Sequence, residues 1–256
     1  MFRALRHQVN ILESVVTSTF SAWRGCLLVQ AAAQPAKPLI LYDIEACPFC
    51  RKVREAFTAL GLDVDIRPCP RGGRGFREEA GTLGGRQQFP LLVDPNTDTV
   101  MYESDDIVRY LFRQYGQRSV PGYYRAKPWH WTLGAAGSAT SELRGMRARP
   151  SRRPGQPLTL WSFEGSPFSR LVRERLCELE LPYTLHNLGK EHWTEIGPAV
   201  QRIKPGPYQP APGGKRDAFF RKHGRVQVPY LEDPNTGAAL FESARILEYL
   251  EQEYAI

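Results

Sequence analysis

The sequence predicts an α/β protein in which one βαβ-ββα unit is used twice, with an N-terminal helix in front and a basic connector between. Three observations carry this. Short apolar runs alternate with helical patterns in the order strand, helix, strand, loop, strand, strand, helix. The same order returns in the second half with matching motifs: Cys47-Pro48-Phe49-Cys50 is echoed by Ser166-Pro167-Phe168-Ser169, Asp94-Pro95-Asn96-Thr97 by Asp233-Pro234-Asn235-Thr236, and Glu103-Ser104 by Glu242-Ser243. The offset is 119 at the first motif and 139 at the later ones, which places about 20 extra residues in the second copy, around Lys204–Lys215.

Residues 1–36 read as an amphipathic helix and a linker. Leu5, Val9, Leu12, Val16, Phe20, Trp23 and Leu27 form one apolar stripe, expected to pack on the body. The same stretch, with three arginines and one acid, also has the make-up of an organelle transit peptide. Gln34-Pro35-Ala36-Lys37-Pro38 reads as the linker.

Residues 37–115 form the first unit. Leu39–Tyr42 is a strand, Arg51–Leu60 a helix, and Asp63–Arg67 a strand with Val64 and Ile66 inward. Arg71–Gly85 is loop with a short helix. Phe89–Val93 and Thr99–Tyr102 are strands around the Asp94–Thr97 turn, and Ser104, as N-cap, opens a last helix. Residues 157–256 repeat this, with Leu158–Ser162 the strand and Arg170–Leu181 the helix.

The net charge of +7 is concentrated between the units: residues 116–156 hold eight basic residues and one acidic, whereas each unit is close to neutral. Tyr123, Tyr124, Trp129, His130 and Trp131 lie in the same segment. Aromatics among arginines can signal nucleic-acid binding, but no known nucleic-acid module is present, so the segment reads as a connector with docked aromatics and solvated arginines. No run is long and apolar enough to be read as a membrane span.

Of five cysteines, Cys47 and Cys50 form a Cys-x-x-Cys pair where a strand ends and a helix begins. Pro48 suits the first helical turn, and a thiolate at Cys47 meets unpaired amides and the positive end of the helix dipole. Cys47 is then the attacking sulfur and Cys50 the resolving one. A zinc site needs two more ligands at matching spacing, and Cys26, Cys69 and Cys177 stand alone, so no metal is expected. Cys26 and Cys177 read as structural. Cys69 follows the second parallel strand, which places it on the thiol side of the sheet as an extra resolving thiol or a packed loop cysteine. Cysteine usage of this kind points to a reducing compartment, the cytoplasm, or a plastid or mitochondrion if the N-terminal segment is a transit peptide.

Taken together, these motifs resemble the thioredoxin fold in its glutaredoxin and glutathione S-transferase N-terminal form, over residues 38–115 and 157–256. More narrowly, the chain is similar to tandem transferase-N-terminal-domain proteins of cyanobacteria, other bacteria and plant plastids. The resemblance implies cis bonds before Pro90 and Pro229, with the amides of Phe89 and Val228 pairing with the cysteinyl part of glutathione. It implies that Glu103-Ser104, and Glu242-Ser243 in the second copy, hold the γ-glutamyl end. Cys47 matches the nucleophile of glutaredoxins; Ser166 matches a serine that hydrogen-bonds a glutathione thiolate. Arg51, Lys52, Arg71 or Arg74 would meet the glycyl carboxylate. Glu45 stands where glutaredoxins carry Lys, and Pro48 where iron–sulfur glutaredoxins carry Gly.

The implied function is a glutathione-dependent thiol–disulfide oxidoreductase, with glutathione as co-substrate and disulfides as partners. A non-catalytic glutathione-binding or redox-sensing module is the alternative, and a transferase acting through Ser166 a further one. The helical domain that completes a transferase has no counterpart in the motif pattern.

Overall fold

The computed structural model describes residues 2–20, 23–125, 144–192, 195 and 208–256. Trp129, His130 and Trp131 of the connector and Lys204–207 lie outside these residues.

In the first half, β1 (Leu39–Asp43) leads into α2 (Pro48–Leu60) and β2 (Val64–Pro68); α3 (Arg77–Gly84), β3 (Leu91–Asp94), β4 (Thr99–Met101) and α4 (Ser104–Gln114) follow. A short helix, α5 (Gly122–Arg125), starts the connector. The second half contains β5 (Leu158–Ser162), α6 (Pro167–Glu178), β6 (Tyr183–Asn187), α7 (Lys215–His223), β7 (Tyr230–Asp233), β8 (Ala238–Phe241) and α8 (Ser243–Tyr254). Ahead of both halves runs α1 (Phe2–Phe20). The expected element order is therefore present in each half, with α3 as the short helix in the Gly/Arg-rich loop.

All eight strands join one sheet, in the order β4-β3-β1-β2-β6-β5-β7-β8. Within each half the first two strands are parallel, as a βαβ crossover requires, and the last two are antiparallel. The halves meet through β2 and β6, which pair antiparallel. At the centre of that pair Asp65 faces Thr184, its own counterpart 119 positions on, and the threonine hydroxyl donates to the carboxylate at 2.7 Å. Equivalent strands meeting antiparallel at equivalent residues is the arrangement a two-fold rotation between the halves produces.

Alternation along the strands divides the core into layers. Leu39 and Leu41 join Val53, Phe57, Ile107 and Leu111 in a single cluster that continues through Leu158, Leu160, Val172, Leu176, Ile246 and Leu250 of the second half. On the other face, Tyr42 and Leu91 pack with Phe76 and Ala80 beneath α3, and Tyr230 and Leu188 pack with Phe219 of α7.

Between the halves lies a buried ion cluster. The Arg54 guanidinium bonds Asp43 at 2.6 Å and Glu164 at 2.9 Å. Arg173, the counterpart of Arg54, bonds Glu45 at 3.1 Å and Glu164 at 3.0 Å. Gly25 and Gly145, both with φ of 74°, close over this cluster; a Cβ at Gly25 would fall 2.7 Å from the Glu164 Cβ, and one at Gly145 would fall 3.0 Å from the Glu45 Cβ. Matching main-chain pairs flank them: Leu28 N–H donates to Lys190 O, and Ala148 N–H to Arg71 O. The likeness of the halves thus extends upstream into segments where the sequence shows no obvious repeat.

Three expectations need correction. The apolar stripe of α1 does not face the body. Ser14, Thr17 and Ser18 are buried, while Leu12 is 65% exposed and Val9 and Val16 are also exposed; Trp23 and Leu27 lie beyond the helix end at Phe20. The surface under α1 presents main-chain carbonyls, so hydroxyls are what it accommodates: Ser14 Oγ donates to Pro167 O at 2.9 Å and Ser18 Oγ to Gly165 O at 3.3 Å. Ser104 is not the N-cap of α4. Glu103 holds that position at φ 66°, and its carbonyl accepts the Ile107 amide. Nor are all connector arginines solvated, because Arg144 bonds Glu174 and Glu13, and Arg149 bonds Glu251. Tyr124 docks as expected, its hydroxyl donating to Glu55 O at 3.0 Å. Among the described residues no helix is long and apolar enough to cross a membrane.

Candidate active site

The first site is assembled where β1 ends. Cys47 takes an extended conformation (φ −77°, ψ 123°) as the N-cap of α2, and Pro48 fills the first helical turn, where a missing N–H leaves nothing unpaired. The Cys47 carbonyl accepts the Arg51 amide at 3.0 Å and its own amide donates to Ile44 O at 2.9 Å, which fixes the turn. Cys47 is partly exposed, whereas Cys50, one turn into the helix, is fully buried. All five cysteines are free thiols.

Their environments separate the two thiols. A hydrogen bond from the Cys50 thiol, and the amides of Cys50 and Phe49, bring Cys47 down to about 7 against the opposing effects of burial and Asp43. Burial, then the neighbouring Cys47, pushes Cys50 well above the ordinary thiol range. One sulfur is partly exposed with its thiol lowered toward neutral pH, and the other is buried and held protonated beside it.

Two further motifs converge on this end of α2. The Phe89–Pro90 bond is cis, and Phe89 precedes the β3 ladder, whose first paired residue is Leu91. Gln88 Nε2 donates to Glu103 Oε1 at 2.7 Å, tying the proline loop to the start of α4. Ser104 lies buried in the first turn of α4. An ion pair from Lys52 to Asp105 links the second turn of α2 to the same helix start. Cys47, Phe89-Pro90 and Glu103-Ser104 thus belong to three segments bound to one another at one end of the sheet.

Of the cations expected at a glycyl carboxylate, Arg51 is buried against Glu55 and Glu164, and Lys52 is paired with Asp105. Arg71 and Arg74 are exposed on the loop after β2. Sequence reasoning missed Arg77, whose guanidinium lies 5.0 Å from the centre of the Phe89 ring and donates to Cys69 O at 2.9 Å. Its place in the first turn of the short α3 was the available signal. Glu45, in the glutaredoxin lysine position, points into the ion cluster with Arg54 and Arg173. Cys69 is fully buried, and burial drives its thiol far above the range of a resolving group. Cys177 donates to Gly145 O and accepts from the Glu45 amide, a structural role that Thr58 fills in the other half by accepting the Glu164 amide.

The second site keeps the backbone of the first without its accessibility. Val228–Pro229 is cis, Glu242 holds φ 72°, and Ser166 caps α6 by accepting the Ser169 amide at 3.3 Å. Ser169 Oγ donates to Ser166 Oγ at 2.9 Å. Ser166 is only 2% exposed, because α1 crosses this helix start. At the other end of the crossing, His7 Nε2 lies 3.3 Å from Ser243 Oγ.

A family model described as the glutathione S-transferase, N-terminal domain matches residues 41–119 and again 160–255. No curated protein matches the chain. Among solved structures it is similar to the trimeric glutathione transferase TDR1 of Leishmania, at 14% identity and a TM-score of 0.29, over 85% of this chain and 67% of that one. The two matched segments cover both halves of the sheet and each contains its helix start, cis-proline and Glu-Ser pair, so the chain belongs to the glutathione S-transferase N-terminal domain family.

Proposed function

We propose that the protein is a glutathione-dependent thiol–disulfide oxidoreductase whose nucleophile is Cys47. The observation that carries this reading is the pairing of a partly exposed Cys47 brought to about 7 with a buried, protonated Cys50 at a helix start. In the monothiol route the Cys47 thiolate attacks the glutathione sulfur of a mixed disulfide. A Cys47–glutathione disulfide forms and the substrate thiolate leaves. A glutathione thiolate then attacks the glutathione sulfur, releasing oxidised glutathione and restoring the Cys47 thiolate. In the dithiol route Cys50 loses its proton and attacks Cys47 of the mixed disulfide, releasing the bound thiol; two glutathione molecules reduce the resulting Cys47–Cys50 bond.

In this reading Phe89 and Pro90 face the cysteinyl part of glutathione and Glu103 and Ser104 its γ-glutamyl end, with the α4 amides meeting the carboxylate. Arg77 joins them as a cation beside Phe89. The second site, with Ser166, Val228, Pro229, Glu242 and Ser243, serves as scaffold, since the Ser166 hydroxyl is buried and already hydrogen-bonded. That burial speaks against a transferase acting through Ser166.

Cys47→Ser is expected to abolish glutathione-coupled reduction of a mixed disulfide, and Cys50→Ser to retain the monothiol route. Full turnover by the Cys47→Ser protein overturns the reading. Calorimetric binding of glutathione without any turnover points instead to a non-catalytic glutathione-binding module.

A further inference from the structure

Beside the first site the surface is strongly cationic. Arg67 and Arg153 flank Phe76, exposed Arg71, Arg74 and Arg147 lie on the adjoining loop and connector, and among the described residues none of these five side chains is paired with a carboxylate. Arg67 and Arg153 place their guanidinium groups 5.3 Å and 5.0 Å from the Phe76 ring centre. Arg71 and Arg147 are brought together by the main-chain pairing of the loop after β2 with the connector. Contacts running inward join this surface to the thiol site: Arg77 bonds Cys69 O and lies over Phe89, and the Cys69 amide donates to Asp43 O at 2.7 Å. The connector, which holds most of the chain's net charge, thus delivers Arg147 and Arg153 to this surface.

An array of like charges raises the local potential and favours an anionic partner. Two of the carboxylates nearby are already engaged, while Glu78 of α3 is exposed. Tyr42 donates to Glu79, and Glu180 of the second half accepts the amides of Arg74 and Gly75 at 3.1 and 2.9 Å. Glu180 shows that this loop seats a carboxylate on its main chain. Phe76 is 1% exposed, so it offers no aromatic platform on which a nucleotide base could stack. Guanidinium groups match carboxylates in planar, paired geometry.

We propose that this arginine surface is a docking surface for an acidic polypeptide segment, and that it selects disulfide substrates whose cysteine is flanked by Asp and Glu. The selection rests on the oxidoreductase reading above; the docking does not, and the test separates them.

Binding is measured by fluorescence anisotropy, using the full chain and a labelled glutamate-rich peptide that lacks cysteine. Peptides of neutral and lysine-rich composition and a single-stranded oligonucleotide serve as comparisons. The acidic peptide is expected to bind, to weaken with added salt, and to lose at least about tenfold in affinity in Arg147→Glu/Arg153→Glu. Salt dependence of the wild-type protein decides the point should that variant fail to fold. Equal binding of the neutral and acidic peptides, or tighter salt-sensitive binding of the oligonucleotide, overturns the docking surface. In the second arm the same peptides, each carrying one glutathionylated cysteine, are offered as substrates. The acidic one is expected to have the higher kcat/KM, with the preference lost in the double variant while turnover of the glutathione mixed disulfide of a small uncharged thiol is unchanged. A wild-type protein that reduces acidic and neutral peptides alike overturns the selection. One that binds the acidic peptide and reduces nothing supports the docking surface and overturns the oxidoreductase reading.

Discussion

Cys47 and Cys50 lie one helical turn apart and are driven in opposite directions. The hydrogen bond from Cys50 is the largest influence holding Cys47 at about 7. Because that value lies below the ordinary thiol range, the thiolate fraction rises from roughly a tenth to roughly nine-tenths between one pH unit below and one above it. The alkylation rate of Cys47 is therefore expected to climb through neutral pH and level off in mild alkali. Replacing Cys50 by Ala removes the donor and is expected to shift this profile to higher pH; Cys50→Ser, which keeps a hydroxyl donor, should shift it less. Rates of iodoacetamide modification across pH check both. The position of the thiol pair at a helix start was legible from the Cys-x-x-Cys spacing and Pro48. The role of Cys50 as the stabilising donor was not, since it depends on a buried side chain meeting its neighbour. Glu45 teaches the same lesson: its type was visible, but its reason lies in Arg173, 128 positions away.

At the scale of elements, α1 decides which site is open. It crosses the start of α6 through Ser14 and Ser18 and reaches Ser243 through His7. A helical period read from apolar residues found the helix, ran it past its end at Phe20 to Trp23 and Leu27, and chose the wrong face. The usual rule that apolar residues face the body presumes an apolar body. Here the underlying surface is a turn rich in carbonyls, and donors are what it takes. A sulfur introduced by Ser166→Cys, in a chain with Cys47→Ser, should therefore react with a thiol reagent at least about a hundredfold more slowly than wild-type Cys47. Comparable rates would mean that α1 does not seal the second site. The elements of the sheet were more legible, because alternating burial along β2, β5 and β6 follows directly from side-chain period.

Over the whole molecule, the halves form one body through the β2–β6 pair, the shared core and the ion cluster. Burial pushes Glu164 up, yet Arg173 and Arg54, with Arg51 and Arg170, hold it at about 2. Removing one partner of such a cluster leaves a buried charge uncompensated. Arg173→Met is expected to destabilise the fold by about 3–5 kcal/mol, measured by denaturant unfolding. An exposed change such as Arg109→Met should have little effect, its pair with Asp106 being solvent-exposed. Equal effects of the two substitutions would show that the cluster does not stabilise the join.

The sequence by itself determined the repeated βαβ-ββα order, the thiol pair at a helix start, the two prolines and the two Glu-Ser pairs, because each is a local pattern set by neighbours a few residues away. Only the tertiary structure decided that the two units share one sheet, that Gly25 and Gly145 occupy matching places, that α1 covers the serine site, and that connector arginines gather beside the cysteine site. Each of these depends on contacts between residues far apart in the chain, where charge pairing and hydrogen-bond satisfaction, rather than periodicity, select the partner.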